Sequence, residues 1–107
     1  AAVDCYGGAV VNPPPEGHPL HGIPPLVNRA ADLSCPLLGL FGREDTHPSP
    51  EEVGELEQAL KANGKTYEFH LYDGAGHAFL QVDRPSYRPE AAVEAWQRIW
   101  DFYGRYL

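Results

Sequence analysis

The hydrophobic positions of this 107-residue chain recur with different periods, and the periods separate its elements. Residues 1–6, Ala-Ala-Val-Asp-Cys-Tyr, are mostly apolar and stop at Gly7-Gly8, which predicts a short strand. Residues 36–41, Pro-Leu-Leu-Gly-Leu-Phe, are apolar without alternation, as in a strand buried on both faces of a parallel sheet. Residues 67–72 alternate instead: Tyr67, Phe69 and Leu71 against Glu68, His70 and Tyr72, a strand with one wet face. Two segments follow a helical period. Ser49-Pro50-Glu51-Glu52 places Ser at an N-cap, Pro at the first helical position and Glu three residues after the cap. Val53, Leu56 and Leu60 then share a face, and Asn63-Gly64 closes a helix of about 50–63. Pro89-Glu90 opens a second helix, about 89–106, with Val93, Trp96, Trp100, Tyr103 and Leu107 along one stripe. Residues 12–29 contain Pro13, Pro14, Pro15, Pro19, Pro24 and Pro25, so no helix runs through them and a long surface loop is expected.

The order is strand, loop, strand, helix, strand, helix. Strand–helix–strand with short links implies parallel pairing through a right-handed crossover. The expected class is α/β, with three parallel strands and two helices, about half of a complete α/β fold. The strand of residues 67–72 suits a sheet edge. The strand of residues 1–6 does not, because an exposed apolar edge invites pairing. Further strands are expected beside it, from an upstream part of the same protein or from a second copy.

Composition narrows the classes. A hydrophobic content of 43% is that of a globular domain, and 107 residues allow one small core. Net charge is −7 with eight Lys and Arg, unclustered, so nucleic acid is not an expected partner. No apolar run approaches the ~20 residues of a membrane span, and no signal peptide is visible. Two cysteines, Cys5 and Cys35, make no disulfide framework, so a reducing, cytoplasmic compartment is expected. The chain starts mid-pattern at Ala-Ala-Val, so the protein is expected to continue upstream.

Two polar turns follow two strands. Gly39-Leu40-Phe41-Gly42-Arg43-Glu44-Asp45 carries Asp45 beyond the second strand, and Gly74-Ala75-Gly76-His77-Ala78-Phe79 carries His77 beyond the third. In a parallel sheet both lie at the carboxyl ends of strands, where α/β enzymes place their chemistry. A carboxylate there can fix the tautomer of an imidazole that takes a proton from a nucleophile. A capping Asp and a surface-loop His would fit the same spacing. His18 and His21 lack a third ligand at suitable spacing, so no metal site is expected there. His47 reads as a loop residue at a pocket rim, His70 as a strand surface residue, and Cys35 as a packing residue.

The stretches Cys35 to Val53 and Tyr67 to Phe79, followed by the Tyr- and Ala-rich segment Tyr87 to Trp96, resemble the carboxy-terminal half of the dienelactone hydrolase family over essentially the whole chain. The resemblance implies the α/β-hydrolase fold and a triad of Cys or Ser, then Asp, then His, with neither metal nor cofactor. Asp45 matches the acid and His77 the base. Cys5 does not fit the nucleophile: Gly7-Gly8 is followed by three prolines rather than by the helix a nucleophile elbow requires. Tyr6-Gly7 matches the end of a family strand between the nucleophile and the acid, so Cys5 is read as a small, partly buried thiol and the nucleophile is expected upstream of Ala1. Family members specific for dienelactone carry an Arg four residues after the His. This chain has Gln81 there, with Arg84 nearby. The expected function is the carboxy-terminal part of a hydrolase acting on small-molecule esters or lactones, inactive as this chain alone. The alternative is a non-catalytic binding or assembly module on the same scaffold.

Overall fold

The computed structural model describes residues 1–107. Three strands, β1 (Ala2–Cys5), β2 (Leu37–Gly42) and β3 (Tyr67–Tyr72), form one sheet in the order β1-β2-β3, and both pairs are parallel. Ala2 stands opposite Leu37 and Cys5 opposite Leu40; Leu37 stands opposite Tyr67 and Gly42 opposite Tyr72. Helix α1 (Pro50–Ala62) connects β2 to β3, and α2 (Pro89–Tyr106) follows β3.

The helices cover opposite faces of the sheet. Leu38 and Leu40 of β2 meet Ala95, Ile99 and Phe102 of α2, with Tyr72, Ala75 and Phe79 closing the cluster. On the other face, Leu56 and Leu60 of α1 pack with Val11 and Ala30, flanked by Leu37, Tyr67 and Phe69. Gly39 makes room for two neighbouring rings, since a Cβ there would lie 2.5 Å from the Phe41 ring and 2.6 Å from that of Phe69. Burial of β2 on both faces accounts for its unbroken apolar run.

Three features depart from the pattern reading. None of residues 12–29 is buried, but the segment is not irregular to its end: Leu26–Asp32 wind into kinked 3-10 turns, and the residues that flank it, Val11 and Ala30, are buried against α1. Small Ala30 can enter the core where the prolines cannot. The apolar stripe of α2 also faces elsewhere. The helix buries Ala92, Ala95, Ile99 and Phe102, whereas Trp96 and Trp100 remain 49% and 66% exposed and stack on each other. The alanines let the helix approach the sheet closely, which bulky indoles would prevent. Finally, the polar face of β3 is half-buried under α2, where Glu68 accepts from Arg105 at 2.6 Å and pairs with His70 at 2.7 Å.

Candidate active site

Gly42 ends β2 and makes the turn beyond it possible. Asp45 N–H donates to the Gly42 carbonyl at 3.2 Å, closing that turn. Arg43 N–H donates to the Tyr72 carbonyl and Glu44 N–H to the Ala75 carbonyl, each at 3.0 Å, which ties it to the turn beyond β3. A Cβ on Gly42 would collide with the Ala75 carbonyl oxygen, so only glycine admits this approach. Gly74, with φ of 72°, supplies the left-handed residue that the second turn needs.

These turns bring Asp45 and His77 together across 32 residues of sequence. His77 Nδ1–H donates to Asp45 Oδ2 at 2.7 Å. The other carboxylate oxygen, Oδ1, accepts from the His47 backbone N–H at 2.9 Å. The Asp45 side chain is 3% exposed and that of His77 is 52% exposed. A buried, doubly hydrogen-bonded carboxylate thus holds one ring nitrogen while the opposite edge of the imidazole stays open. The Tyr6 ring meets the imidazole edge-on, with centroids 5.1 Å apart.

His77 opens into a cavity of about 700 Å³ whose walls include Tyr6, Asn12, Pro14, His18, His47 and Glu52. The first half of the proline-rich segment therefore walls a pocket. Three non-glycine residues in the left-handed region surround this site: Tyr6 (φ 46°) and Ala9 (φ 59°) line the cavity, and Ala78 (φ 65°) follows His77. Such conformations cost about 1–3 kcal/mol each and gather at binding and catalytic sites.

Cys5 also reaches this cavity, as the last residue of β1, but its sulfur makes no hydrogen bond to His77. Burial, and secondarily the Asp4 carboxylate, push its thiol above the usual range. It is held as a thiol, the weak form of the nucleophile. His47 lines the cavity, and His18 reaches it from the proline segment, while His21 Nδ1 lies 3.0 Å from the Pro14 carbonyl oxygen. No group of three or more His, Cys, Asp and Glu side chains is arranged to hold a metal ion. Cys35 is half-buried before β2. Gln81 and Arg84 are exposed and stand outside the cavity wall; the Arg84 charge reaches Tyr6, opposing the burial that raises the phenol.

Sequence reasoning passed over two residues of this site. Tyr6 was legible only as a strand end. Glu52 read as the second partner of a capping box. Ser49 Oγ does accept from Glu52 N–H, at 3.2 Å, but the Glu52 side chain does not reach back to the cap and instead lines the cavity. Nothing in the local sequence distinguishes those two orientations.

The profile of the dienelactone hydrolase family matches residues 1–107. A Salmonella typhimurium protein assigned as a carboxymethylenebutenolidase is 38% identical over 110 aligned positions, covering 99% of this chain and 37% of that protein. The carboxymethylenebutenolidase of Rhodococcus opacus is 36% identical over 97 residues, 87% of this chain and 38% of its own length. A crystal structure from Klebsiella pneumoniae, assigned as a dienelactone hydrolase, superposes with a TM-score of 0.84 at 35% identity, covering 98% of this chain and 42% of that one. The chain thus spans less than half the length of these relatives. No helix in it is long and apolar enough to cross a membrane. Sequence and structure agree that this chain, with the α/β-hydrolase fold, belongs to the dienelactone hydrolase family.

Proposed function

We propose that this chain is the carboxy-terminal part of an enzyme hydrolysing small-molecule esters or lactones, and that it supplies the acid and the base of a triad whose Cys or Ser nucleophile lies upstream of Ala1. The observation that carries the reading is the 2.7 Å bond from His77 Nδ1 to the buried Asp45, with the far edge of the ring open to the cavity. Asp45 fixes the tautomer that leaves Nε2 free to accept a proton. His77 takes the proton of the nucleophile as it attacks the ester carbonyl, then returns it to the departing alkoxide. Water attacks the acyl-enzyme next. His77 accepts its proton and hands it to the released nucleophile, restoring the start.

Nothing in the chain beyond Cys5 resembles an elbow for that nucleophile, and the relatives are more than twice as long. The β1 strand pairs only with β2, and its other edge suits a strand from the upstream part or from a second copy. A Val3→Pro substitution would remove a ladder donor and weaken that pairing, which sedimentation would detect.

The deciding experiment compares the full-length protein with the 107-residue chain on an activated ester, with labelling by an acylating probe. Full-length activity should fall by several orders of magnitude in His77→Ala. The chain alone should show no turnover above its own His77→Ala variant. Full-length protein with no turnover and no acylation would favour the binding-module reading. Turnover by the short chain that vanishes in Cys5→Ala would make Cys5 the nucleophile.

A further inference from the structure

We propose that Tyr6 is a positioning residue for His77: its ring, braced by the buried Phe79, stops the imidazole from swinging about its bond to Asp45, so that Nε2 keeps facing the cavity. The proposal rests on the ester-hydrolase reading of His77. The bond from Nδ1 to Asp45 Oδ2 is a single point of attachment on a half-exposed side chain. One hydrogen bond fixes the tautomer, but acceptor geometry is broad and leaves the tilt of the ring free. Gly76 and Ala78, the neighbours of His77 in sequence, are too small to flank it. The Tyr6 ring meets the imidazole with centroids 5.1 Å apart and 61° between planes, and meets Phe79 at 5.7 Å and 64°. Both are edge-to-face geometries. Phe79 is fully buried and in turn meets Tyr72 at 5.2 Å. A file of rings thus runs from the core to the imidazole, and a close-packed core holds such a file in place.

The backbone supplies an independent observation. Tyr6 stands one residue beyond β1 with φ of 46°, a left-handed conformation that bulky residues rarely adopt. By strand alternation its side chain would share the face of Asp4, opposite Val3 and Cys5, which pack toward the α2 cluster. The left-handed residue turns the ring to the other side instead, onto Phe79 and His77. Two bonds hold that turn: Tyr6 N–H donates to the Leu40 carbonyl, and Gly7 N–H donates to Asp4 Oδ1, each at 2.8 Å. Strain of this kind persists where the surroundings over-determine it, and its effect here is to place one ring against the base. The site is then assembled from the ends of three strands rather than two.

The test uses the full-length protein, p-nitrophenyl butyrate, and NMR relaxation of the His77 ring, assigned by the signals lost in His77→Ala. Tyr6→Leu keeps apolar bulk against Phe79 but removes the plane that meets the imidazole. It should lower kcat at least fivefold while KM moves less than threefold, since misplacement of a reacting group by about 1 Å can cost ~10²-fold. Tyr6→Phe restores the ring without the hydroxyl and should recover most of that loss. The His77 ring of the unaltered protein should be rigid, with an order parameter of about 0.85, and Tyr6→Leu should bring it below about 0.6. Tyr6→Phe should return it to the rigid range. A kcat loss under fivefold in Tyr6→Leu, a KM that rises as far as kcat falls, or an equal loss in Tyr6→Phe overturns the proposal. A mobile His77 ring in the unaltered protein overturns it without any variant, as does a ring that stays rigid in Tyr6→Leu. If no ester is turned over, the hydrolase reading fails, and the ring measurements alone decide whether Tyr6 positions His77.

Discussion

Gly42→Ala perturbs the junction that sets the distance from Asp45 to His77. An added Cβ would lie 2.8 Å from the Gly76 carbonyl oxygen and 2.7 Å from the Ala75 carbonyl carbon, with the Ala75 oxygen nearer still. Ordinary carbon–oxygen approaches begin near ~3.3 Å. The turn beyond β2 must therefore retreat from the turn beyond β3 by about half an ångström or more. No flexible side chain can yield, since the obstructing atoms are backbone. Overpacking of this kind costs about 1–3 kcal/mol, and for a domain of about this size each kcal/mol lowers Tm by about 4–8 °C. The displacement also strains the 3.0 Å bond from Glu44 N–H to the Ala75 carbonyl and the 2.7 Å bond from His77 to Asp45. Misplacement near 1 Å can cost ~10²-fold in rate. Calorimetry should record a fall in Tm of roughly 4–24 °C, on those magnitudes. Long-range proton–nitrogen NMR spectra, which report the imidazole tautomer, should show loss of the single tautomer imposed by Asp45. A Gly42→Ala protein that melts within 2 °C of the parent and keeps the tautomer would refute the claim that this contact sets the site.

Gly104→Ala, in α2 with nothing within 4 Å of the new Cβ, should stabilise the protein by about 0.5–1 kcal/mol in thermal unfolding. Burial raises the Asp4 carboxyl above its ordinary value, against the bond from Gly7 N–H. The stabilising contribution of its protonated form is complete below the unfolded pKa and is lost as pH rises through the folded one. Asp4→Asn, which keeps an acceptor for Gly7, should therefore gain stability over the parent as pH rises from 3 to 7, measured by urea unfolding. Alkylation of Cys5 by iodoacetamide in a Cys35→Ser background should follow a midpoint above 9.0, the ordinary thiol value for this group, and Asp4→Asn should lower that midpoint. In the full-length protein, Asp45→Asn should reduce kcat by about 10²–10⁴-fold with little change in Tm, read by steady-state kinetics and calorimetry.

Short-range rules made most of the architecture legible. Ser49-Pro50 marks the start of α1, and Asn63-Gly64 its end, because capping depends on atoms within one turn. The unbroken run in β2 reports burial on two faces, whereas the alternation in β3 does not report its burial, because α2 half-covers Glu68 and His70. The dyad was legible as two polar turns after two parallel strands, since parallel pairing places strand ends side by side. The buried face of α2 was not, because two stripes compete on that helix: Val93, Trp96 and Trp100, and Ala92, Ala95, Ile99 and Phe102, whose alanines allow a closer approach than the indoles would. Hydrophobicity favours the first, whereas close approach to the sheet at Leu38 and Leu40 requires the second.

The sequence by itself determined which segments become strands and helices, the parallel topology, the family, and the pairing of Asp45 with His77 as candidates. Each follows from periodicity, from caps or from motifs contained in a few adjacent residues. Only the tertiary structure decided what the two residues face. The proline segment folds over to wall the cavity, Tyr6 turns its ring onto His77, and Glu52 leaves its helix cap to line the same space. Those outcomes depend on contacts between residues tens of positions apart, where two local arrangements of similar energy are separated by packing that no window of sequence contains.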